Sequence, residues 1–264
     1  MSIFKTNNVN IIGKGTSTIM FAHGFGCDQN MWRFITKAFE ETHKLILFDH
    51  VGAGQSDLTA YDPVKYQELD GYVEDIINIA NTLELKEVIF VGHSVSAIMG
   101  IMAAEKEPTL FKSLILVSPS PSYINDRDYV GGFSRMEIEE LLQSLDENHL
   151  GWSMTMAPLI MANSDRAELG EELTNSFCST DPTIARQFAR VTFLTDSRAL
   201  LPQCKTPSLI LQCSDDIIAP VEVGQYMHEQ MDNSHLVVLE ATGHCPHLSA
   251  PEETTAAILN FLNN

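Results

Sequence analysis

Short apolar runs rich in β-branched residues recur along the chain, and most are followed by a segment whose apolar residues have helical spacing. The apolar runs predict strands at residues 18–21, 44–48, 88–91, 114–117, 209–212 and 236–239. Helical spacing predicts helices at residues 72–83, 95–104, 223–231 and 252–261. Strands that alternate with helices in this way are typical of an α/β fold with a mostly parallel central sheet and helices on both of its faces.

The alternation stops between residues 117 and 209, where the sequence contains no convincing strand. Helix-like stretches cover residues 134–147, 150–163, 165–178 and 181–195 instead. The last of these begins at Asp181-Pro182, a typical N-cap residue followed by proline at the first helical position. We therefore predict a four-helix insertion, a candidate lid, at residues 121–203, between two parts of the core at 1–120 and 204–264.

Composition and charge narrow the class of protein. The chain has 264 residues, and its 44% of apolar residues are enough for one large core. Sixteen Lys and Arg against 35 Asp and Glu give a net charge of −19, which disfavours binding to nucleic acids and to anionic membranes. The five scattered cysteines contain no C-x-x-C pair, which indicates a reduced, cytoplasmic protein. We expect neither a cleaved signal peptide nor a membrane span, because no apolar run has the required length.

The most informative stretch is Gly92-His93-Ser94-Val95-Ser96, which follows a predicted strand and precedes a predicted helix. This arrangement is typical of a nucleophile elbow, in which a serine occupies a strained strand-to-helix turn between very small residues. Gly92 meets that requirement, whereas Ser96 departs from the strict G-x-S-x-G form with a side chain that is still small. Ser94 is therefore the candidate nucleophile, and we expect His93 to be structural.

A nucleophilic serine needs a base and a carboxylate that orients the base. Asp216 and His244 each come shortly after a predicted strand, downstream of the serine. The chain order serine, acid, histidine, with each residue beyond the carboxyl end of a strand, is typical of serine hydrolases. Spacing leaves Asp215 open as the acid and His247 as the base, although we expect His247 to be a structural histidine.

Two other patterns argue against a metal or a nucleotide cofactor. His244, Cys245 and His247 lie close together, but their spacing does not match a metal-ligand set. The glycines at positions 52 and 54 lack the G-x-G-x-x-G spacing, and the chain has no GK[ST] sequence of the Walker type. We therefore expect no metal and no cofactor.

The segment at residues 21–28, with the sequence FAHGFGCD, follows a predicted strand and is the candidate oxyanion loop. Acyl transfer places negative charge on the carbonyl oxygen, and two backbone N–H groups directed at that oxygen stabilise it. One donor belongs to the residue after the nucleophile and the other to this loop. The expected donors are the N–H groups of Val95 and Phe25.

Motifs spread over residues 23–254 carry a resemblance to a known superfamily. They are HGFGCDQ, LFDHVGAGQSD, LDGYVEDI, FVGHSVSA, SPSYIND, GGF, FCSTDPTIARQFAR, LQCSDDIIAPVEVGQYMH and GHCPHLSAPEET. The chain resembles the α/β-hydrolase superfamily over almost its whole length, and within it the RsbQ-type bacterial stress-response hydrolases and the plant strigolactone and karrikin receptors. The resemblance implies a triad of Ser94, Asp216 and His244, and it implies the same two oxyanion donors.

The resemblance also implies a role in signalling. RsbQ-type proteins bind or turn over a small hydrophobic compound and activate a phosphatase in a general-stress (sigma-B) pathway, and the plant relatives are hormone receptors that hydrolyse their ligand. The partners implied are a small hydrophobic ligand and a PP2C-type phosphatase with a PAS domain. Ser96 is similar to the plant branch, whereas FCSTDPTIARQFAR is similar to the bacterial branch, so the branch stays open.

Apolar side chains in the insertion predict a pocket above the triad. The candidate pocket residues are Phe133, Trp152, Met156, Phe188 and Phe193. Such walls favour a small apolar substrate whose polar handle is an ester, a lactone or an enol ether.

Overall fold

Within residues 2–263, the part of the chain that the computed structural model describes, seven strands form a single sheet. The strands are β1 (Asn10–Ile12), β2 (Ser17–Ala22), β3 (His43–Leu47), β4 (Val88–His93), β5 (Phe111–Val117), β6 (Ser208–Asp215) and β7 (Ser234–Thr242). They lie in the order β1-β3-β2-β4-β5-β6-β7. β1 is antiparallel to β3, and the other neighbours are parallel. The predicted α/β fold with a mostly parallel sheet is confirmed.

The six predicted strands correspond to β2 through β7, whereas the hydrophobic pattern does not predict β1. This strand has three residues, all of them exposed, and it lies at the edge of the sheet. A half-buried strand alternates apolar and polar residues, and a buried strand is apolar throughout, but an exposed edge strand of this length needs neither pattern.

The helices are α1 (Ile3–Thr6), α2 (Arg33–Thr36), α3 (Leu69–Thr82), α4 (Val95–Lys106), α5 (Arg135–Glu147), α6 (His149–Met161), α7 (Ala167–Ser179), α8 (Pro182–Phe193), α9 (Val221–Gln230), α10 (Pro246–Ser249) and α11 (Pro251–Leu262). The four predicted helices outside the insertion correspond to α3, α4, α9 and α11. The other helices outside the insertion have only four residues, too few for helical periodicity to be visible. Among residues 2–263, none of the helices combines the length and the apolar character that crossing a bilayer would need.

Successive residues of β2 point into two different cores, one on each face of the sheet. Met20 belongs to the core that includes α3, α4 and α9, whereas Ile19 and Phe21 belong to the core that includes α2, α11 and the helices of the insertion. Helices therefore cover both faces, as predicted. Every residue of β4 is buried as a result, which explains its continuous apolar run.

The helices α5 to α8, which we call the helical insertion, lie in sequence between β5 and β6. Within it α6 packs against α7, and α5 packs against both α6 and α8. The Asp181 carboxylate accepts hydrogen bonds from the N–H groups of Thr183 and Ile184, so the predicted N-cap of α8 is confirmed. The domain boundaries at residues 121 and 203, and the role of the insertion as a lid, stay predictions.

Candidate active site

Ser94 occupies a sharp turn between the end of β4 and the start of α4. Its backbone has φ 56° and ψ −125°, a conformation that costs free energy in a residue other than glycine and that concentrates at functional sites. Gly92 allows the turn, because a Cβ atom at that position would lie 2.5 Å from the carbonyl oxygen of Ser96. The strand, the turn and the helix together hold the Ser94 hydroxyl at the carboxyl end of the sheet.

The structure brings Ser94, His244 and Asp216 together from the carboxyl ends of three strands. The Oγ of Ser94 lies 2.8 Å from Nε2 of His244, and Nδ1 of the same ring lies 2.7 Å from Oδ2 of Asp216. With the carboxylate accepting from Nδ1–H, the neutral ring presents Nε2 as the acceptor for the Ser94 hydroxyl. This is the geometry of a nucleophile, a base and an orienting acid.

Asp216 faces His244, whereas the neighbouring Asp215 is exposed. The second carboxylate oxygen of Asp216, Oδ1, accepts hydrogen bonds from the N–H groups of Ile218 at 2.8 Å and Ala219 at 3.2 Å. These two bonds fix the plane of the carboxylate, so Oδ2 is directed at the imidazole. Asp216, and not Asp215, therefore makes the contact that a triad acid needs.

The backbone of His244 is anchored on both sides. Its N–H donates to the carbonyl of Ile160 at 2.9 Å, and its carbonyl accepts from Nε2–H of His93 at 2.8 Å. The preceding residue, Gly243, has φ 81°, and a Cβ atom there would clash with the carbonyl of Met161. The helical insertion and the residue before the nucleophile thus both hold the backbone of His244. A structural role for His93 stays a prediction, which this hydrogen bond supports.

His247, the alternative base, is fully buried and does not line the cavity that adjoins Ser94. Its ring packs against Trp32 at 4.5 Å and against His93 at 4.6 Å between ring centroids. Neither of its ring nitrogens has a hydrogen-bond partner among residues 2–263. Burial lowers its pKa from 6.5 to about 3, so the ring is neutral in the folded protein. Among the residues that the structure describes, no group of three His, Cys, Asp or Glu side chains is arranged to hold a metal ion.

The stability of the fold is expected to fall in mild acid, and His247→Phe should reduce that dependence. Between pH 6.5 and 3 the unfolded chain protonates this histidine while the folded protein does not, so acid lowers the free energy of unfolding. The variant should make the loss shallower by up to about 1.4 kcal/mol per pH unit. Urea unfolding between pH 7 and 5 measures it. The exposed His235→Phe is the control, and equal slopes for all three proteins would contradict the prediction.

The candidate oxyanion donors lie on the two segments that meet at Ser94. Val95 is the first residue of α4, and Phe25 follows the end of β2. Within residues 2–263, the N–H groups of both residues donate to no protein atom, which leaves them available to a ligand. The carbonyl of Gly26 accepts a hydrogen bond from the Ser176 hydroxyl at 2.7 Å, which ties this loop to α7 of the insertion.

Ser96, at the position where the strict G-x-S-x-G motif has its second glycine, belongs to a buried polar cluster beneath the loop. The Ser96 hydroxyl donates to the carbonyl of His23 at 2.5 Å and lies 2.8 Å from Nε2 of His50. In turn Nε2 of His23 accepts from the N–H of His50 at 3.0 Å. Burial lowers the pKa of both histidines, which keeps both rings neutral. Ser96 and His50 are almost completely buried and line no part of the cavity at Ser94, so this second serine and histidine pair is structural.

A narrow cavity of about 30 Å³ adjoins Ser94 and His244, with room for about two water molecules. Its walls are mostly apolar, and the residues that line it are Phe25, Cys27, His93, Ser94, Tyr123, Ile160, Leu173, Phe177, Thr192, Phe193, Ile218, His244 and Cys245. Burial raises the pKa of the Cys27 and Cys245 thiols, so both stay protonated. The surface of the cavity is therefore largely apolar, with two protonated thiols and a small number of hydroxyl and imidazole groups.

The five predicted pocket residues occupy different places relative to this cavity. Phe193 lines it, and Trp152 and Phe188 lie behind its wall, with their rings 6.1 Å and 5.7 Å from the ring of Phe25.

Phe133 and Met156 do not line this cavity, so their place in a substrate pocket stays a prediction. The backbone of Phe133 is bonded to Tyr123 and Asn125, which holds this residue in the connection that precedes α5. Met156 is half-buried against the core from α6. Apolar character alone does not distinguish a residue that lines a cavity from one that packs the insertion.

Tyr123 belongs to the site but is not among the predicted site residues. Its hydroxyl lies 3.4 Å from Oγ of Ser94, and its fully buried ring lines the cavity. The signal in the sequence is the SPSYIND segment, which follows β5. In the sheet, β5 lies beside β4, the strand that leads to Ser94. This motif contributes to the family resemblance, but the resemblance alone does not show that its tyrosine reaches the nucleophile.

A sheet of this topology, with a serine, a histidine and an aspartate hydrogen-bonded in series at its carboxyl edge, defines the class of α/β hydrolases. The sequence pattern of the Alpha/beta hydrolase family matches residues 19–258, and the chain belongs to this family.

Several relatives cover almost the whole chain. The structure of a hydrolase from Oleispira antarctica is 44% identical with a TM-score of 0.97, and the match covers 99% of this chain and 96% of that one. The Karrikin insensitive 2 receptor CA of Petunia hybrida is 34% identical over 261 residues, which cover 98% of this chain and 97% of the relative. A strigolactone esterase of Arabidopsis thaliana is 34% identical over 253 residues, covering 96% and 94% respectively.

Proposed function

We propose that this protein is a serine hydrolase that cleaves a small, largely apolar ester or lactone. The observation that carries the proposal is the uninterrupted series from Ser94 through His244 to Asp216, with distances of 2.8 Å and 2.7 Å in a nearly solvent-free site. Hydrolysis of 4-nitrophenyl acetate by the purified protein tests it, with loss of activity in Ser94→Ala as the expected companion result. A protein that hydrolyses neither esters nor lactones would overturn the proposal.

In the proposed reaction the Oγ of Ser94 attacks the substrate carbonyl while Nε2 of His244 takes the hydroxyl proton. Asp216 holds the imidazole in the required tautomer and stabilises the imidazolium that forms. The C–O bond to the leaving alcohol then breaks, and the imidazolium gives its proton to that alcohol. Water attacks the acyl-serine in the second half, with His244 again as the base, and releases the carboxylic acid and the free serine.

We assign the stabilisation of the negative charge on the carbonyl oxygen to the N–H groups of Phe25 and Val95. Both belong to segments that converge on Ser94, and neither N–H has another protein acceptor within residues 2–263. Donors that are fixed before the reaction stabilise the transition state without reorganising, which is worth several kcal/mol in a site that excludes water.

The walls of the cavity support a small apolar substrate. The ring of Phe25 contacts four other aromatic rings, those of Trp152, Phe177, Phe188 and Phe193, at centroid distances between 5.7 and 6.2 Å. The space accessible to water beside Ser94 is narrow, about 30 Å³, which supports entry of an ester by separation of these rings. The four rings around Phe25 all belong to the insertion, which makes outward movement of its helices the proposed route of substrate entry and gives the lid a physical role.

Phe193→Ala is expected to shift the preference of the enzyme towards longer acyl chains. Removing a ring from the cavity wall makes room for additional methylenes, so the ratio of kcat/KM for the hexanoate and the acetate 4-nitrophenyl esters should rise about tenfold. The same change should cost about 3–5 kcal/mol of stability. Met156→Ala, on the same insertion but outside the cavity wall, should leave the ratio unchanged. An unchanged ratio in both variants would contradict this description of the pocket.

A ligand receptor is the second candidate function, supported by the relatives. One relative at 34% identity is a receptor and another is an esterase, and the alignments cover nearly the whole chain. The resemblance to RsbQ-type proteins adds a specific form of this role, positive regulation of a PP2C-type phosphatase in cytoplasmic stress signalling. A stand-alone carboxylesterase would act without any partner.

One experiment separates these three functions. The protein is purified from its native cells to identify any phosphatase that accompanies it, and the stress response is compared between cells with wild-type protein and with Ser94→Ala. A signalling hydrolase needs both the phosphatase and Ser94, whereas a receptor signals without Ser94. A stand-alone esterase retains no phosphatase and affects no stress response.

A further inference from the structure

Thr192 on α8 places a hydroxyl without a partner in the wall of the cavity. The residue is 1% exposed, and its Oγ1 has no hydrogen-bond partner among residues 2–263. A buried hydroxyl left without a partner costs free energy, so native proteins rarely keep one without a reason.

Three other helical threonines of this chain bond their hydroxyls to their own helix. Thr155, Thr174 and Thr254 each donate to the carbonyl four residues earlier, at 2.9, 2.8 and 2.9 Å. Threonine in a helix has two accessible rotamers, and one of them makes this bond. The hydroxyl of Thr192 does not use the carbonyl of Phe188, the equivalent acceptor on its own helix, although that bond would satisfy it.

The surroundings of Thr192 are poor for a water molecule. Most of the residues that line the cavity together with Thr192 are apolar, among them Phe25, Ile160, Phe177 and Phe193, and a buried water needs two to four polar partners. The other hydroxyls in the cavity, those of Ser94 and Tyr123, are 3.4 Å apart at the reacting end. Thr192 is thus a separate polar group in an apolar wall, the arrangement by which small-molecule sites orient their ligands.

We propose that Thr192 is a specificity-determining residue whose hydroxyl hydrogen-bonds a second oxygen of the substrate, apart from the scissile carbonyl. The substrate class is then an apolar ester or lactone that carries an additional carbonyl, ether or hydroxyl oxygen. This inference rests on the proposed hydrolase function, because it concerns the substrate of that same site. It adds a polar requirement that the apolar walls alone do not predict.

The test compares matched substrates in matched variants. The substrates are 4-nitrophenyl alkanoates and the corresponding oxoalkanoates, with the keto oxygen at successive positions of the acyl chain. The measured quantity is the ratio of kcat/KM for each keto ester to that of its alkanoate. Dividing the ratio of the wild type by that of Thr192→Val cancels the intrinsic reactivity of the esters, because valine has the same shape without the hydroxyl.

At one or more keto positions the ratio should fall about three- to tenfold in Thr192→Val, the range of one neutral hydrogen bond. Thr192→Ser retains the hydroxyl and should retain most of the preference. Thr155→Val, the same substitution at an exposed helical threonine outside the cavity, should leave every ratio unchanged. If Thr192→Val matches the wild type at every keto position, the hydroxyl faces at most an ordered water and the proposal is wrong.

A binding experiment keeps this inference distinct from the proposed hydrolase function. The same esters are added to the Ser94→Ala protein and to the double variant with Thr192→Val, and binding is followed by quenching of tryptophan fluorescence by the nitrophenyl group. A three- to tenfold weaker binding of a keto ester, but not of its alkanoate, in the double variant supports the role of Thr192 even if the wild type hydrolyses no ester. Equal weakening of both esters, or of neither, overturns it.

Discussion

Replacing Ser94 with alanine is expected to lower kcat for 4-nitrophenyl acetate by at least about ten-thousandfold. Among residues 2–263, the Ser94 hydroxyl is the nucleophile that is hydrogen-bonded to Nε2 of His244 and able to form the acyl intermediate. Removing one member of such a unit costs nearly as much as removing all of it, and the oxyanion donors account for the residual rate. Steady-state and burst-phase release of 4-nitrophenol measure the loss.

The fold of the Ser94→Ala variant should be retained. The residue keeps a side chain of one carbon at the same strained φ, and the loss of one bond to His244 costs about 1–3 kcal/mol. Circular dichroism and the unfolding temperature check that the protein is folded. Ser144→Ala on α5, at an exposed serine, is the matched control and should keep wild-type activity. Full activity in Ser94→Ala would remove this residue from the mechanism.

Asp216→Asn is expected to lower kcat by about a thousand- to ten-thousandfold with little change in fold. The asparagine can still accept from the N–H groups of Ile218 and Ala219, so its amide nitrogen would face Nδ1 of His244. A donor at that point forces the proton of the imidazole onto Nε2. A protonated Nε2 can no longer accept the proton of the serine. The rate of 4-nitrophenyl acetate hydrolysis measures the effect.

Asp215→Asn is a closely matched control for that experiment. It makes the same chemical change one residue earlier, at an exposed side chain that does not contact the imidazole. Its activity should stay within about twofold of the wild type, as for most surface substitutions. If the two variants lost activity equally, the loss would be explained by the removal of one negative charge, and the orienting role of Asp216 would be wrong.

Most of the architecture was predictable because periodicity in the sequence reflects which faces are buried. A run such as VIFV in β4 is apolar throughout because helices cover both faces of the sheet, and the helices of the insertion repeat their apolar residues every three to four positions. β1 could not be predicted in this way, because all three of its residues are exposed.

The candidate site was predictable where its chemistry demands small residues and a fixed chain order. Glycine before the nucleophile and a serine on a tight turn leave a local signature, as does a histidine after Gly243. Tyr123 lies in one of the motifs of the family resemblance, but nothing local to Tyr123 or Thr192 indicates a place in the site. Their importance comes from the direction of a side chain towards a cavity formed by several elements, and a tyrosine or a threonine at those positions would be unremarkable in any other packing.

The sequence by itself determined the class of fold, the helical insertion and the order of the candidate triad, because each depends on local periodicity or on the chain order of a known chemistry. Only the tertiary structure shows that Asp216 contacts the imidazole of His244 and that His244 contacts Ser94, because these contacts depend on the direction in which each side chain points. It also decided how narrow the cavity is and which residues form its wall. Those properties arise only when the insertion packs against the carboxyl edge of the sheet, where residues far apart in the chain share one volume.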